Sequence, residues 1–196
     1  MGALSRDSVE IRWHGRGGQG AVTAAKLLAE AAYASGWKGV TSAPTFGAER
    51  RGAPITASTR LAHEPIRVLS QVTTPEFVFV LDDSLLAVAG ASAGLKPGGM
   101  LLVNTTLPAG ELRVPAGVNV VATDVTGAAE AAGVVVAGQP IVSAAILGAI
   151  AKATGLVTLE SVEAAIAGMF PAGPAAKNAE AARIAHECTP GKGAAA

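Results

Sequence analysis

Two spacings of hydrophobic and polar positions alternate along the chain, which predicts strands interleaved with helices. Continuous apolar runs over residues 77–81 and 100–104 are typical of buried parallel strands. Residues 21–34 are instead apolar at helical spacing, and this stretch ends just before a glycine. The order of the two kinds of segment predicts an α/β fold, a Rossmann-like layered domain in which helices flank a mostly parallel sheet.

The same patterns place the remaining elements. An antiparallel pair of strands is predicted over residues 54–62 and 65–70, around a turn at His63-Glu64. Further strands are predicted over residues 9–14 and 118–123, and further helices, including three C-terminal ones, over residues 85–93, 141–153, 159–170 and 177–187. We interpret residues 9–187 as a single domain between a flexible N-terminus (1–8) and a disordered tail (188–196).

A glycine-rich loop, Gly15-Arg16-Gly17-Gly18-Gln19-Gly20, joins the first predicted strand to the first predicted helix. Glycines let the backbone approach a ligand closely, and the start of a helix adds unpaired N–H groups and the positive end of its dipole. This order of strand, loop and helix indicates a site for a phosphate or pyrophosphate, with Arg16 as a nearby cation. A tight turn that binds nothing is the alternative.

The glycine loop does not identify a particular nucleotide. It fits the dinucleotide pattern G-x-G-x-x-G, but the acidic residue expected roughly 20 residues later to hold a ribose is missing. No Gly-Lys-Ser/Thr follows, so the P-loop pattern fails as well. An independent Rossmann-type nucleotide-binding enzyme is therefore the least favoured interpretation.

A second candidate segment, residues 46–54, carries the adjacent arginines Arg50 and Arg51 between glycines and a proline. Each guanidinium offers a planar fork of donors that suits phosphate oxygens. A solvated surface turn in which Glu49 screens an arginine is the alternative. Because only 15% of the residues are charged, two arginines in one loop favour an anion-binding role.

Composition narrows the classes of partner. Fifteen basic residues balance fifteen acidic ones, so neither nucleic acid nor a membrane surface is expected as a partner. No apolar run reaches about 18 residues and the N-terminus lacks the apolar core of a signal peptide, which predicts a cytoplasmic protein. Because only 15% of the residues are charged and the mean hydropathy is positive, we expect partner subunits to cover some apolar surface.

Few groups in the chain could perform chemistry, and no catalytic or metal-binding residue is predicted. The single cysteine, Cys188, can form neither an internal disulfide nor the ligand set of an iron–sulfur cluster. His14 is expected to orient the glycine loop by hydrogen bonding rather than to transfer a proton. Asp82, Asp83 and Asp124 follow predicted strands and form either a carboxylate cluster or helix caps, and caps are favoured.

Taken together, the two loops resemble a known family. The segments that carry the resemblance are His14–Lys26, Phe46–Pro54, Pro65–Arg67 and Ser70-Gln71. They are similar to the γ subunit of 2-oxoacid:ferredoxin oxidoreductases, such as pyruvate synthase and phenylglyoxylate-type enzymes, over residues 9–187. The resemblance implies a non-autonomous subunit of a complex that oxidatively decarboxylates a 2-oxoacid to an acyl-CoA, and it leaves the 2-oxoacid open.

The resemblance also implies how cofactors are divided among subunits. Thiamine diphosphate, Mg²⁺ and [4Fe–4S] clusters belong to thiamine-binding α and β subunits and a ferredoxin-like δ subunit. Electrons pass to external ferredoxin or to an NAD-linked acceptor subunit. The chain itself contributes to coenzyme A binding and to assembly, and a purely structural assembly subunit is the alternative. The positions assigned to coenzyme A are Gly15, Arg16, Gly17, Gly18, Gln19, Gly20, Thr23, Arg50 and Arg51.

Overall fold

The structure is a computed structural model that describes residues 8–44, 51–67, 70–88 and 90–191 of the chain. The strands are β1 (Ser8–Arg16), β2 (Gly39–Pro44), β3 (Pro54–Ala62), β4 (Phe77–Val80), β5 (Met100–Asn104), β6 (Asn119–Thr123), β7 (Val135–Val136) and β8 (Gln139–Pro140). The α-helices are α1 (Ala21–Ala34), α2 (Leu85–Val88), α3 (Val125–Ala131), α4 (Ala145–Thr154), α5 (Leu159–Met169) and α6 (Ala172–Cys188). Across the described ranges, no helix is both long and apolar enough to cross a membrane.

The main sheet is mostly parallel, as predicted. Its strand order is β2-β3-β1-β4-β5-β6. The strands β1, β4, β5 and β6 run parallel, and β3 runs antiparallel to both β1 and β2. The carboxyl ends of the four parallel strands therefore meet at one edge, where ligand sites of such sheets lie.

The larger helices pack on one face of the sheet. Alternate strand residues on that face, such as Trp13, Phe79 and Leu102, are buried in a core with residues of α1 and of α4 to α6. The rings of Trp13 and Phe79 meet edge to face with centroids 4.9 Å apart. The intervening residues, such as Val78 and Val103, form a smaller core on the opposite face. This alternation follows from the period of two along a strand.

The predicted strand over residues 65–70 is wrong for the residues of it that are described. Residues 65–67 and 70 have no strand structure. The physical reason is that β3 pairs with β1 along one edge and with β2 along the other. Each strand has only two hydrogen-bonding edges, so β3 has none left for a hairpin partner.

The predicted helix over residues 85–93 is also wrong for the described residues 90–93, while residue 89 lies outside the described residues. Helix α2 covers Leu85–Val88, and residues 91–94 form turns. Gly90 and Gly94 have φ values of 53° and 73°, in the left-handed region. A right-handed helix cannot continue through such residues, so the chain turns back toward β1 here.

Several boundaries differ from those predicted. Helix α3 and the β7–β8 hairpin were not predicted, and α6 begins at Ala172 rather than at Lys177. Residues 139–140 form β8 instead of opening the next helix, α4, which begins only at Ala145. At the ends of the chain, Ser8 already belongs to β1, and Thr189 is buried against Thr123. The predicted flexible residues 1–7 and tail residues 192–196 lie outside the described residues.

Candidate functional site

The glycine loop connects β1 to α1 at the carboxyl edge of the sheet, as predicted. Gly20 has a φ of 87°, and a Cβ atom there would lie 2.8 Å from the Cβ atom of Ser143. At Gly15, a Cβ atom would lie 2.9 Å from the Cβ atom of Ala21. Only glycine therefore allows the loop to pass this close to the start of α1 and to the segment before α4.

The first N–H groups of α1 have no acceptor within the described ranges of the chain. Gly20 occupies the N-cap position and supplies no side-chain cap. The N–H groups of the first helical turn have no intrahelical acceptors, and the helix dipole makes this end positive. Thr23 lies in this first turn and lines a cavity of about 560 Å³ together with glycines of the loop and Arg51. The arrangement is suited to an anion.

The two predicted loops meet in space. Gly17 and Arg51 form a parallel bridge, and beside it the N–H of Gly17 donates to the carbonyl of Ala53 at 2.9 Å. In the same bridge, the N–H of Gly52 donates to the carbonyl of Gly17 at 3.0 Å. Arg51 is exposed and makes no ion pair among the described residues. Arg50, the other predicted arginine, lies outside the described residues.

Arg16 and Gln19 hold the glycine loop in place. The Arg16 side chain donates to Asp82 Oδ2 at 2.9 Å, to the Gly52 carbonyl at 3.0 Å and to Ser84 Oγ at 2.7 Å. The Gln19 side chain accepts from the Arg16 N–H at 2.8 Å and donates to Asp82 Oδ2 at 3.0 Å. The charge of Arg16, predicted as a nearby cation for a ligand, is thus paired with Asp82.

The pKa of Asp82 lies below its ordinary value. Burial by itself would raise this pKa, but hydrogen bonds from Ser84, Gln19 and Arg16, together with the charge of Arg16, outweigh it. Asp82 therefore stays ionised and anchors the loop from the start of the segment that follows β4.

A second and larger cavity opens on the other side of the loop. It measures about 750 Å³ and lies between the glycine loop and the β7–β8 hairpin. Gly17, Gly18 and Arg51 line both cavities, so the loop forms a shared wall. The hairpin contributes Val136, which is 62% exposed, and this residue was not predicted. A two-residue strand is too short to show the alternation of apolar and polar residues by which strands are predicted. In the sequence, only the glycines at 133 and 138 indicated a turn in this segment.

Of the acidic residues at this edge, Asp124 caps a helix, as favoured from the sequence, whereas Asp83 accepts a hydrogen bond from another side chain. Asp124 caps α3, because its Oδ1 accepts from the N–H of Gly127 at 2.7 Å. Asp83 accepts from the hydroxyl of Thr105 at 2.7 Å. No group of three or more His, Cys, Asp or Glu side chains suited to a metal ion occurs within the described ranges.

Asn104 connects the sheet edge to α3. Its amide N–H groups donate to the Leu81 carbonyl at 2.9 Å and to Thr126 Oγ1 at 2.8 Å. Its side-chain oxygen accepts from the N–H groups of Val125 and Thr126 at 2.9 and 3.0 Å. Asn104 is 7% exposed, so these bonds satisfy a buried amide.

Replacing Asn104 with alanine is expected to reduce the free energy of unfolding by about 2–4 kcal/mol, because it leaves several buried donors and acceptors unpaired. Urea unfolding measures this loss. Asn178→Ala is the matched control, since within the described part of the chain the Asn178 side chain makes one hydrogen bond, to the Pro174 carbonyl at 2.9 Å. Equal losses in the two variants would contradict the role assigned to Asn104.

His14 is buried, and its hydrogen-bond partner is not the glycine loop. Its Nε2 accepts from Arg12 Nε at 3.1 Å. Burial, and secondarily the charge of Arg12, lowers the pKa of His14 to about 4. The imidazole is therefore neutral near pH 7 and does not carry a proton to a ligand. The predicted role in orienting the loop has no contact to support it among the described residues.

The sequence is similar to known proteins of one family. Residues 10–188 match the family model described as pyruvate ferredoxin/flavodoxin oxidoreductase. The chain is 50% identical over 186 residues to the pyruvate/ketoisovalerate oxidoreductases common subunit gamma of Thermococcus litoralis, covering 92% of this chain and 97% of that protein. It is 48% identical over 179 residues to pyruvate synthase subunit PorC of Methanothermobacter marburgensis, covering 91% of this chain and 96% of that protein.

The fold agrees with this relationship. The crystal structure of pyruvate oxidoreductase subunit PORC from Thermotoga maritima matches with a TM-score of 0.80 and 36% sequence identity. The match covers 94% of this chain and 98% of that one. The chain therefore belongs to the pyruvate ferredoxin/flavodoxin oxidoreductase family, as the gamma subunit of a 2-oxoacid:ferredoxin oxidoreductase complex.

Proposed function

We propose that this gamma subunit helps to bind coenzyme A in the complex, and that the glycine loop and Arg51 receive its phosphates. The observation that carries the proposal is the bridge that brings Arg51 against the glycine loop, beside the uncapped start of α1. A ligand with several phosphate charges needs both backbone N–H donors and guanidinium groups. Both kinds of donor line the cavity of about 560 Å³.

The proposed site has two kinds of residue. Gly18, Gly20, Thr23 and Arg51 offer backbone or side-chain donors to the phosphates, with Arg50 as a second guanidinium. The remaining members shape the loop. Among these, Arg16 and Gln19 hold it through Asp82, while Gly15 and Gly17 allow its close packing and its bridge to Arg51.

The other cofactors are assigned to partner subunits. Thiamine diphosphate with Mg²⁺ would lie in the α and β subunits, and [4Fe–4S] clusters in the ferredoxin-like δ subunit. The donor set of this chain supports that division, because its one cysteine cannot supply the usual four cluster ligands. The subunit would then act in the cytoplasm within a complex that passes electrons to ferredoxin or to an NAD-linked acceptor.

A purely structural role in assembly is the second candidate. The observation that favours it is the exposure of Val135 and Val136, 47% and 62%, beside the glycine loop. A neighbouring subunit could cover these apolar side chains on assembly. In that case the glycine loop would contact protein rather than coenzyme A.

Replacing Arg51 with alanine in the intact complex is expected to raise the apparent KM for coenzyme A about tenfold or more. The variant loses charge-assisted hydrogen bonds, each worth about 1.5–3 kcal/mol. Steady-state kinetics with varied coenzyme A measures the change, and the combined replacement of Arg50 and Arg51 should enlarge it.

Arg113→Ala is the control, because Arg113 is also exposed and lies outside both cavities at the glycine loop. It should leave the kinetics unchanged. The structural role would be favoured if the Arg51→Ala complex dissociates while the fraction that stays assembled keeps its normal KM for coenzyme A. An unchanged KM in an intact complex would contradict the proposed phosphate site.

A further inference from the structure

Arg12 lies on the sheet face opposite the larger helices, away from the glycine loop's cavities. In β1 it stands beside Ser58 of β3 and Val78 of β4. Its Nε donates to His14 Nε2 at 3.1 Å, and its Nη2 donates to the carbonyls of Ala91, at 3.0 Å, and of Ala93. These acceptors are all neutral, since His14 itself is uncharged near pH 7.

The guanidinium of Arg12 has no counter-ion among the described residues. Three other arginines contrast with it. Arg16, Arg60 and Arg183 form ion pairs with Asp82, with Glu10, and with Glu163 and Glu180, respectively. Partial burial lowers the pKa of Arg12. A half-buried positive charge without a nearby anion is costly, because neutral groups replace its hydration only in part.

The surroundings of Arg12 supply further unused hydrogen-bonding groups. A cavity of about 330 Å³ is lined by Arg12, Thr56, Ser58, Gln71 and Thr73, with Val72, Ala93 and Gly94. In the described part of the chain, Arg12 Nη1 and these four polar side chains have no hydrogen-bond partner. Among the residues that the structure describes, none that lines the cavity is acidic.

We propose that this cavity is a second anion-binding site that takes a carboxylate group. One N–H group of Arg12 Nη1 can donate to one oxygen, and the hydroxyls of Ser58 and Thr56 can donate to the other. A single guanidinium balances the one charge of a carboxylate, whereas a doubly charged phosphate would leave one charge uncompensated. The volume lies at the low end for ligand sites, so the guest is small.

Two sources can present that carboxylate. One is a free small organic acid, and the other is an Asp or Glu side chain of a neighbouring subunit in the complex. Both satisfy Arg12 in the same way, and neither involves the glycine loop. The site is therefore independent of coenzyme A binding, and its test separates the two sources.

The first test introduces a carboxylate into the proposed site by substituting a residue of the chain itself. Ser58 lies directly opposite Arg12 in the antiparallel register, where Cβ atoms are about 5 Å apart. S58D should therefore place a carboxylate beside the guanidinium and raise the melting temperature of the full-length subunit by about 2 °C or more over S58N. S58N is the matched neutral control. A melting temperature of S58D equal to or below that of S58N would overturn the proposal.

The second test measures occupancy. Titration of the full-length subunit with acetate and with pyruvate, at constant ionic strength, should show saturable binding that S58D weakens at least tenfold and S58N preserves. Such binding identifies a free acid as the guest. If neither acid binds, S58D should lower the affinity for the other subunits at least tenfold relative to S58N, which identifies a partner side chain. Failure of both effects would overturn the proposal.

Discussion

Replacing Gly148 with alanine should destabilise the subunit by about 3 kcal/mol or more, among the largest losses expected from a single methyl group. Gly148 lies within α4, where that helix packs against α6. A Cβ atom at this position would lie 1.8 Å from the backbone oxygen of Ala182 and 2.7 Å from its carbonyl carbon. Backbone atoms cannot turn aside as a side chain can, so the two helices must separate.

The matched control for this prediction is Gly168→Ala. Gly168 lies in α5, is exposed, and has nothing within 4 Å of an added Cβ atom. Because alanine favours a helix over glycine, this variant should gain about 0.5–1 kcal/mol. Urea unfolding of both variants gives the comparison. A loss below about 1 kcal/mol in Gly148→Ala would show that α4 and α6 adjust more easily than their contact indicates.

Gly148→Ala should also weaken coenzyme A binding at the proposed site. Ser143 precedes α4 and lies against Gly20, where an added Cβ atom would be 2.8 Å from its Cβ atom. A displaced α4 would therefore move the support beneath the start of α1. The packing of two C-terminal helices is in this way linked to the geometry of the glycine loop.

Local signals explain what the sequence predicted well. The segment from β1 through the glycine loop to α1 could be predicted because an apolar strand, clustered glycines and a helical pattern follow one another directly. The buried strands β4 and β5 were predicted from their continuous apolar runs. The meeting of the glycine loop with Arg51 was suggested by the family resemblance rather than by periodicity.

Contacts between distant segments explain what the sequence did not predict. Arg16 could be named as a cation, but its pairing with Asp82, 66 residues away, depends on the order of the strands. Arg12 likewise gains its neighbours from β3 and from the turns near residue 93. Helix α3 is short and contains a glycine, so its pattern is too weak to distinguish it from a loop.

Lowering the pH is expected to remove about 3 kcal/mol of stability through His14 alone. The pKa of His14 is about 4 in the folded state because of burial and the charge of Arg12, against an ordinary 6.5 in the unfolded chain. Between these values the unfolded chain takes up the proton and the folded one does not. The contribution is therefore fully present above about pH 6.5, falls with pH, and is lost below about pH 4.

His14→Gln separates this effect from other titrations, because a glutamine oxygen can still accept from Arg12 but does not titrate. The unfolding free energy of this variant, measured by urea at about pH 7 and pH 4.5, should fall much less than that of the original chain. His63→Gln is the control, since His63 is exposed and stacks on Trp37. Asp82 does not interfere with this measurement. Because its pKa is lowered from the ordinary 3.8, the stability that its ionised form contributes is lost only below about pH 3.8. If the free energy of unfolding falls equally with pH in His14→Gln and in the original chain, His14 is protonated in the folded state at pH 4.5. The buried contact with Arg12 would then have to open on acidification.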